Sequence, residues 1–143
     1  PITDLRMTRF MISLDQGVEL VWKAVDDMVG GEIYVKKIPS MKVIDIASAI
    51  EPSADFEIIG IRPGEKLHEE MISLSDSFYT YEYSDYYKIL PAINSWNLDK
   101  NRIKDGILVT DGFKYTSDKN SEWLNKDSLR DWLEINKNLI GNI

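Results

Sequence analysis

The chain has 143 residues, 43% of them hydrophobic and 29% charged, with a formal net charge of −7 and no cysteine. That supply of apolar side chains suits one globular core, and one domain is the default expectation. Disulfides and thiolate metal sites are excluded, the acidic balance argues against general binding to nucleic acid or anionic membranes, and no apolar run approaches the roughly 20 residues that span a bilayer.

Absence of cysteine fits a reducing cytoplasm, and no signal-peptide pattern is present at the start. The sequence opens at Pro1 rather than Met, in a stretch with no cap, tag or targeting character, and reads as a segment of a longer protein. Leu14, Val18, Val21, Trp22, Val25 and Met28 follow the spacing of an amphipathic helix. Ser13 and Gln16 have capping-box spacing at its start, and Gly30-Gly31 stops it. Glu32 to Lys36 suits a strand. Ser40 is placed to cap a second helix with Val43, Ile46, Ala47 and Ile50 on one face, ending before Pro52. Phe56 to Ile61 is almost continuously apolar, as a strand covered on both faces would be.

Arg62-Pro63-Gly64-Glu65 follows, and Leu67, Met71 and Leu74 then recur at helical spacing. This predicts a turn leading into a helix, with Arg62 at a strand's carboxyl end beside unpaired N–H groups, a position suited to a phosphate. A guanidinium can hold two phosphate oxygens at once, Pro63 fixes the turn, and Gly64 allows close backbone approach. The opposing expectation is a plain turn whose Arg62 is solvated or paired with Glu65.

Tyr79, Tyr81 and Tyr83 alternate with Thr80 and Glu82, and Ser84-Asp85 turns the chain into a second extended run. A hairpin is predicted, its tyrosines serving a half-buried sheet face or a subunit contact rather than stacking a ligand. From Ala92 to Asn120 the periodicity fades into a long connection, broken only by Ile107, Leu108 and Val109. Asn125 caps a terminal helix, with Leu124 and Leu129 at hydrophobic-staple spacing and Leu129, Trp132, Leu133 and Ile140 on one stripe.

Dinucleotide, P-loop, nucleophile-elbow and zinc-protease motifs are all missing from the sequence. His68, the only histidine, suits a surface or capping role, since one imidazole without cysteine builds no ordinary zinc site. Tyr115 and Lys119 match the Tyr-x-x-x-Lys spacing of short-chain dehydrogenases, but they lie in a polar stretch rather than on a long helix, so the match is read as accidental.

Several segments together resemble the C-terminal, substrate-binding part of UDP-N-acetylglucosamine 4,6-dehydratases, members of the extended short-chain dehydrogenase/reductase family. They are Ile2-Thr3-Asp4, Met7 to Leu14 with Gly17-Val18, Gly30 to Ile33, Lys37 to Lys42, and above all Ile59-Gly60-Ile61-Arg62-Pro63-Gly64-Glu65-Lys66-Leu67-His68-Glu69. The likeness runs from Ile2 to about Pro91 and thins beyond it. Lys37-Ile38-Pro39-Ser40-Met41 favours the C5-inverting type that begins pseudaminic acid biosynthesis.

The resemblance implies an α/β fold of short strands alternating with helices, without the Rossmann half. It implies a substrate-binding domain over 1–91, and a tail over 92–143 whose terminal helix packs on it. It further implies an enzyme that uses NADP to oxidise C4 of UDP-N-acetylglucosamine, eliminates water across C5 and C6, and returns the hydride to C6. The family's NADP cradle, catalytic Tyr–Lys pair and dehydration residues all precede Pro1 in chain order, so no catalytic or cofactor residue carries over. Arg62 and Glu65 match positions that touch the UDP-sugar, and Arg9 matches a second arginine near its phosphates. The implied partners are the substrate, a Rossmann domain and, in the complete enzyme, further copies of the chain. The rival expectations are a non-catalytic binding or oligomerisation module, a retaining dehydratase, and a nucleotide-sugar 4-epimerase.

Overall fold

The computed structural model describes residues 1–135. By packing, the chain forms two compact units, each assembled from separated segments. One comprises Pro1–Met11, Pro39–Glu69 and the described residues from Ser117, and the other comprises Ile12–Ile38 and Glu70–Thr116. Residues from both sides of position 91 contribute to each.

In chain order the elements are β1 (Thr8–Phe10), α1 (Leu14–Asp27), β2 (Ile33–Lys36), β3 (Ser40–Lys42), α2 (Val43–Ile50), β4 (Glu70–Ile72) and α3 (Leu74–Ser77). After these come β5 (Thr80–Glu82), β6 (Tyr86–Ile89), a 3-10 turn over Trp96–Leu98, α4 (Lys100–Ile103), β7 (Ile107–Leu108), β8 (Tyr115–Thr116) and α5 (Lys126–Ile135).

The first unit is built on the antiparallel ribbon of β1 and β3, which pairs Thr8 with Lys42, Arg9 with Met41 and Phe10 with Ser40. Met41 (0% exposed), Ala49 and Leu129 form its core, flanked by Met11, Ile46, Leu124 and Leu133. This joins α2 to α5 and puts both staple leucines where their spacing predicts. Asn125 caps α5 reciprocally with Ser128: the Ser128 N–H donates to Asn125 Oδ1 at 2.8 Å and the Asn125 N–H to Ser128 Oγ at 3.2 Å. Ile140 lies outside the described residues.

Two expectations for this unit are corrected. Ser40 does not cap α2. It is a fully buried residue of β3, its N–H donates to the Glu122 carbonyl, and its carbonyl accepts from the Leu124 N–H. With its backbone held on both sides, the helix starts three residues later at Val43, without a side-chain cap, and buries Ala49 rather than Ile50. Phe56 to Ile61 is not a buried strand. It makes one parallel bridge, Ile58 to Ile2, and Phe56, Ile58, Ile59 and Ile61 are all exposed. An apolar strand needs partners along its edges and cover on both faces, and among the described residues only Ile2 supplies pairing.

The second unit is a four-stranded antiparallel sheet in the order β2-β6-β5-β7, together with the short β4–β8 pair. The tyrosine hairpin is present as β5 and β6. Tyr83 and Tyr86 stack with ring centroids 4.5 Å apart, and Tyr81, Tyr83, Tyr86 and Leu90 form a core against Leu20, Tyr34 and Ile103. The Tyr81 hydroxyl donates to the Asn97 carbonyl and that of Tyr83 to the Ile103 carbonyl, so both phenols serve the fold. Ile107 and Leu108, read only as an interruption, form an edge strand on β5.

Helical spacing after Leu67 also misleads. Glu70–Ile72 is a strand paired with β8, with Ile72 fully buried, and a Ser73–Asp76 capping box starts a helix only at Leu74. A buried ladder partner decides the conformation here over the 3-4 spacing of apolar residues.

In α1, the Ser13–Gln16 box forms in both directions. Ser13→Ala is expected to cost about 1 kcal/mol, read as a lowered urea midpoint. The predicted core stripe of this helix is not core, however: Leu14, Val18, Val21, Trp22, Val25 and Met28 are between 46% and 83% exposed. The less exposed positions are Gly17, Leu20, Ala24 and Asp27, one helical face offset from the stripe. Asp27 anchors that face. Its carboxylate accepts from Lys88 Nζ at 2.6 Å, from the Tyr34 hydroxyl at 2.7 Å and from Lys104. Lys88 is 1% exposed and lies 4.9 Å from the centre of the Tyr83 ring. Just beyond the helix, buried Arg102 pairs with Glu32, donates to the Gly30 carbonyl at 2.7 Å and stacks on Trp96.

Candidate functional site: an arginine turn held on the first strand

The residues Arg62 to Glu69 form a turn in the first unit, with Gly64 at φ 81 and the Glu65 N–H donating to the Arg62 carbonyl at 3.0 Å. A positive φ is one that glycine adopts without a Cβ penalty. No strand runs directly into Arg62 and no helix opens directly after it, so the turn lacks the expected help from a helix N-terminus. What stands in its place is an exposed arginine on a tightly anchored turn. The Arg62 guanidinium makes no hydrogen bond or ion pair within the described residues.

Glu65 closes the turn. One carboxylate oxygen accepts from the Arg62 N–H at 3.1 Å, and the other accepts from the Thr3 hydroxyl at 3.2 Å. Arg9 lies against the same segment, but its guanidinium faces the backbone. It donates to the carbonyls of Thr8 (2.6 Å), Lys66 (3.0 Å) and Leu67 (3.3 Å), and its Nε lies 3.5 Å from Glu69 Oε1. Arg62, Glu65 and Arg9 thus belong to one assembly in which Arg62 faces outward while the other two hold the turn.

Further anchors come from residues distant in sequence. The Thr8 N–H donates to the Leu67 carbonyl at 3.1 Å. Ser117, fully buried, accepts the Glu69 N–H on its hydroxyl at 2.9 Å and donates its own N–H to the Glu69 carbonyl. Thr8 Oγ1 lies 2.8 Å from His68 Nδ1 and 2.6 Å from Ser117 Oγ. His68 is therefore half-buried and bonded rather than on the surface. Sequence reasoning missed Thr3, Thr8 and Ser117, because their partners are 60 to 109 residues away and no local spacing marks them. Asp4, a potential repellent of anions nearby, is bound by Arg6, whose hydrogen bonds hold its pKa down at about 2.

Elsewhere, Tyr115 lies in β8 rather than on a helix, and its hydroxyl donates to the Ile38 carbonyl and accepts the Ile38 N–H. No cluster of His, Asp or Glu among the described residues could hold a metal ion. None of their helices is long and apolar enough to cross a membrane.

Residues 1–91, which include the whole turn, match the family model described as polysaccharide biosynthesis protein. The chain belongs to that family. Among relatives, the chain is 50% identical to an inverting UDP-N-acetylglucosamine 4,6-dehydratase of Campylobacter jejuni over 134 residues, covering 90% of this chain and 40% of that protein. It is 31% identical to a UDP-glucose 4-epimerase of Rickettsia massiliae, covering 92% of this chain and 40% of that enzyme. A solved structure, Pen from Bacillus thuringiensis, superposes with a TM-score of 0.78 at 28% identity, over 96% of this chain and 41% of that one. The mixed α/β architecture of short strands and helices is thus shared with known proteins, and the chain spans about 40% of the length of the relatives it matches.

Proposed function

We propose that this segment supplies part of the UDP-sugar site of an NADP-dependent, C5-inverting UDP-N-acetylglucosamine 4,6-dehydratase, and that by itself it carries out no dehydration. The observation that carries the reading is the unpaired, outward Arg62 on a turn anchored through Glu65 and through the Lys66 carbonyl. A diphosphate bears two or more negative charges and presents paired oxygens that match the guanidinium fork. Arg62 would bind it. Glu65 and Arg9 would fix the backbone from which Arg62 projects, so both would act on the sugar nucleotide mainly through that turn.

The described residues do not fit a dinucleotide. Their strand-to-helix passages, through Met11–Ser13 into α1, through Lys42 into α2, through Ser73 into α3, through residues 90–99 into α4 and through residues 117–125 into α5, contain no glycine, and the α1 start is occupied by its own capping box. NADP binding therefore falls to residues outside these, as does hydride transfer. The dehydratase reading is preferred over the epimerase one on identity, 50% against 31%. As part of the same reading we place the segment in a nucleotide-sugar route of the cytoplasm, pseudaminic acid synthesis included.

In an enzyme carrying this segment with its nucleotide-binding half, Arg62→Ala is expected to weaken UDP-N-acetylglucosamine binding by about 1.5–3 kcal/mol, the scale of a lost charge-assisted hydrogen bond. Titration calorimetry measures it, and an unchanged affinity rejects the role. The 143-residue chain mixed with UDP-N-acetylglucosamine and NADP should yield no 4-keto product, and its appearance would refute the division of labour.

A further inference from the structure

Strand β2 ends the order β2-β6-β5-β7, and among the described residues no strand lies along its other edge. Open edges are ordinarily blunted by proline, a bulge or a free lysine. β2 pairs in a regular register and has no proline, and its one lysine, Lys36, is tied to Asp85 at 2.8 Å. The edge is therefore left ready to pair.

The exposed stripe of α1 overhangs that edge. Around the helix, the stripe from Leu14 to Met28 lies about a third of a turn from the Leu20–Asp27 face that packs on the sheet. The flank on the other side of that face carries Lys23, whose Nζ lies 3.1 Å from Asp85 and 4.4 Å from the centre of the Tyr86 ring in β6. With Lys23 turned toward β6, the stripe is turned away from β6 and past β2. Tyr34 meets α1 through Asp27, so Ile33, by alternation along the strand, points to the opposite face, where it is 58% exposed. Apolar surface thus flanks the open edge on both faces, as it does around a strand whose sheet is covered on both sides.

We propose that the open edge of β2 and the stripe of α1 form one seat for the nucleotide-binding half of the enzyme, whose sheet pairs a strand with β2 and runs beneath the stripe. This rests on the reading that such a half accompanies the segment. The relatives at 50% and 31% identity are each only 40% covered by this chain, so the larger part of each lies outside it and is long enough to bring a sheet. A second copy of the chain fits less well. Asp15, Glu19 and Asp26 are exposed along the outer flank of the stripe, and a two-fold contact would set that acidic flank against its own image. The four-stranded sheet then continues into the nucleotide-binding half, and the second unit is built into that half rather than attached beside it.

The test compares the 143-residue chain with a complete enzyme carrying it, by amide hydrogen exchange and by fluorine NMR of 5-fluorotryptophan, with Trp22→Phe assigning the Trp22 signal. In the complete enzyme the amides of residues 33–36 should exchange about tenfold or more slowly than in the 143-residue chain, and the Trp22 signal should lose its sensitivity to solvent deuterium. Val21→Lys combined with Val25→Lys should leave the urea midpoint of the 143-residue chain unchanged or slightly higher, since both positions are exposed and lysine favours helix over valine. The same pair should return residues 33–36 of the complete enzyme to fast exchange.

Equal exchange and equal exposure of Trp22 in the two proteins overturn the seat, whether or not the complete enzyme binds NADP. Protection that arises in the 143-residue chain alone as its concentration is raised overturns it in favour of a second copy. A complete enzyme that covers both features yet binds no NADP refutes the nucleotide-binding reading and upholds the contact. Should the two lysines prevent the complete enzyme from folding, Val25→Lys alone is judged by the same exchange rates.

Discussion

Replacing Asp27 by alanine is expected to destabilise the chain by about 3–5 kcal/mol, the scale for removing one partner of a buried ion pair. The loss goes well beyond a single contact. Lys88, 1% exposed, would keep its charge among tyrosine rings with no counter-ion, and the Tyr34 hydroxyl and Lys104 would lose their acceptor as well. Burial alone would raise the Asp27 pKa, but the hydrogen bonds from Lys104, Lys88 and Tyr34 outweigh it and hold the carboxyl well below the usual range. A carboxyl depressed in the folded state stabilises fully above its unfolded value, near 4, and loses that contribution as pH falls through the folded value. Urea unfolding followed by circular dichroism should therefore give a wild-type midpoint that declines below about pH 4, while Asp27→Asn is lower at neutral pH and flatter. Asp27→Leu combined with Lys88→Met should recover much of the loss, since removing both charges leaves none buried alone. A double variant as unstable as Asp27→Ala would show that the network's shape, not its charge, holds α1.

Met41→Ala is expected to cost about 2–5 kcal/mol. Met41 has no exposed surface and sits between α2 and α5, against Ala49 and Leu129. It also pairs across the ribbon with Arg9, whose guanidinium holds the Arg62–Glu69 turn. Both elements over the cavity are tied to the ribbon, so collapse into the space would be partial and the cost should lie above that of a freely relaxing site. Met41→Leu, nearly equal in volume, should stay under about 1.5 kcal/mol. Equilibrium urea curves for the two variants decide it, and equal losses would show that methionine's shape rather than its bulk matters.

How far these features were legible in the sequence depends on how local their causes are. Ser13 with Gln16, and Asn125 opening α5, were readable because a cap is a bargain among four consecutive residues. The tyrosine hairpin was readable for the same reason, as its strands are joined by a short turn at Ser84-Asp85, closed by the Tyr83 N–H donating to the Tyr86 carbonyl. Phe56 to Ile61, Leu67 to Leu74 and Ser40 were misread because distant chain decides them: a bridge to Ile2, a ladder to β8, and bonds to Glu122 and Leu124. In the site, Arg62 and Glu65 stood out through their run of motif residues. The hydroxyls of Thr3, Thr8 and Ser117 could not, since a threonine or serine gives no sign of a partner 60 to 109 residues away.

The exposed stripe of α1 has a consequence for how this sequence can change over generations. Leu14, Val18, Val21, Trp22, Val25 and Met28 are not buried within the described chain, so its own folding free energy scarcely constrains them. Under mutational drift filtered only for folding, those positions would wander toward polar residues, while Leu20 and Asp27 one face away would hold. One helix therefore carries two separate selective histories, and comparing substitution rates on its two faces would tell them apart.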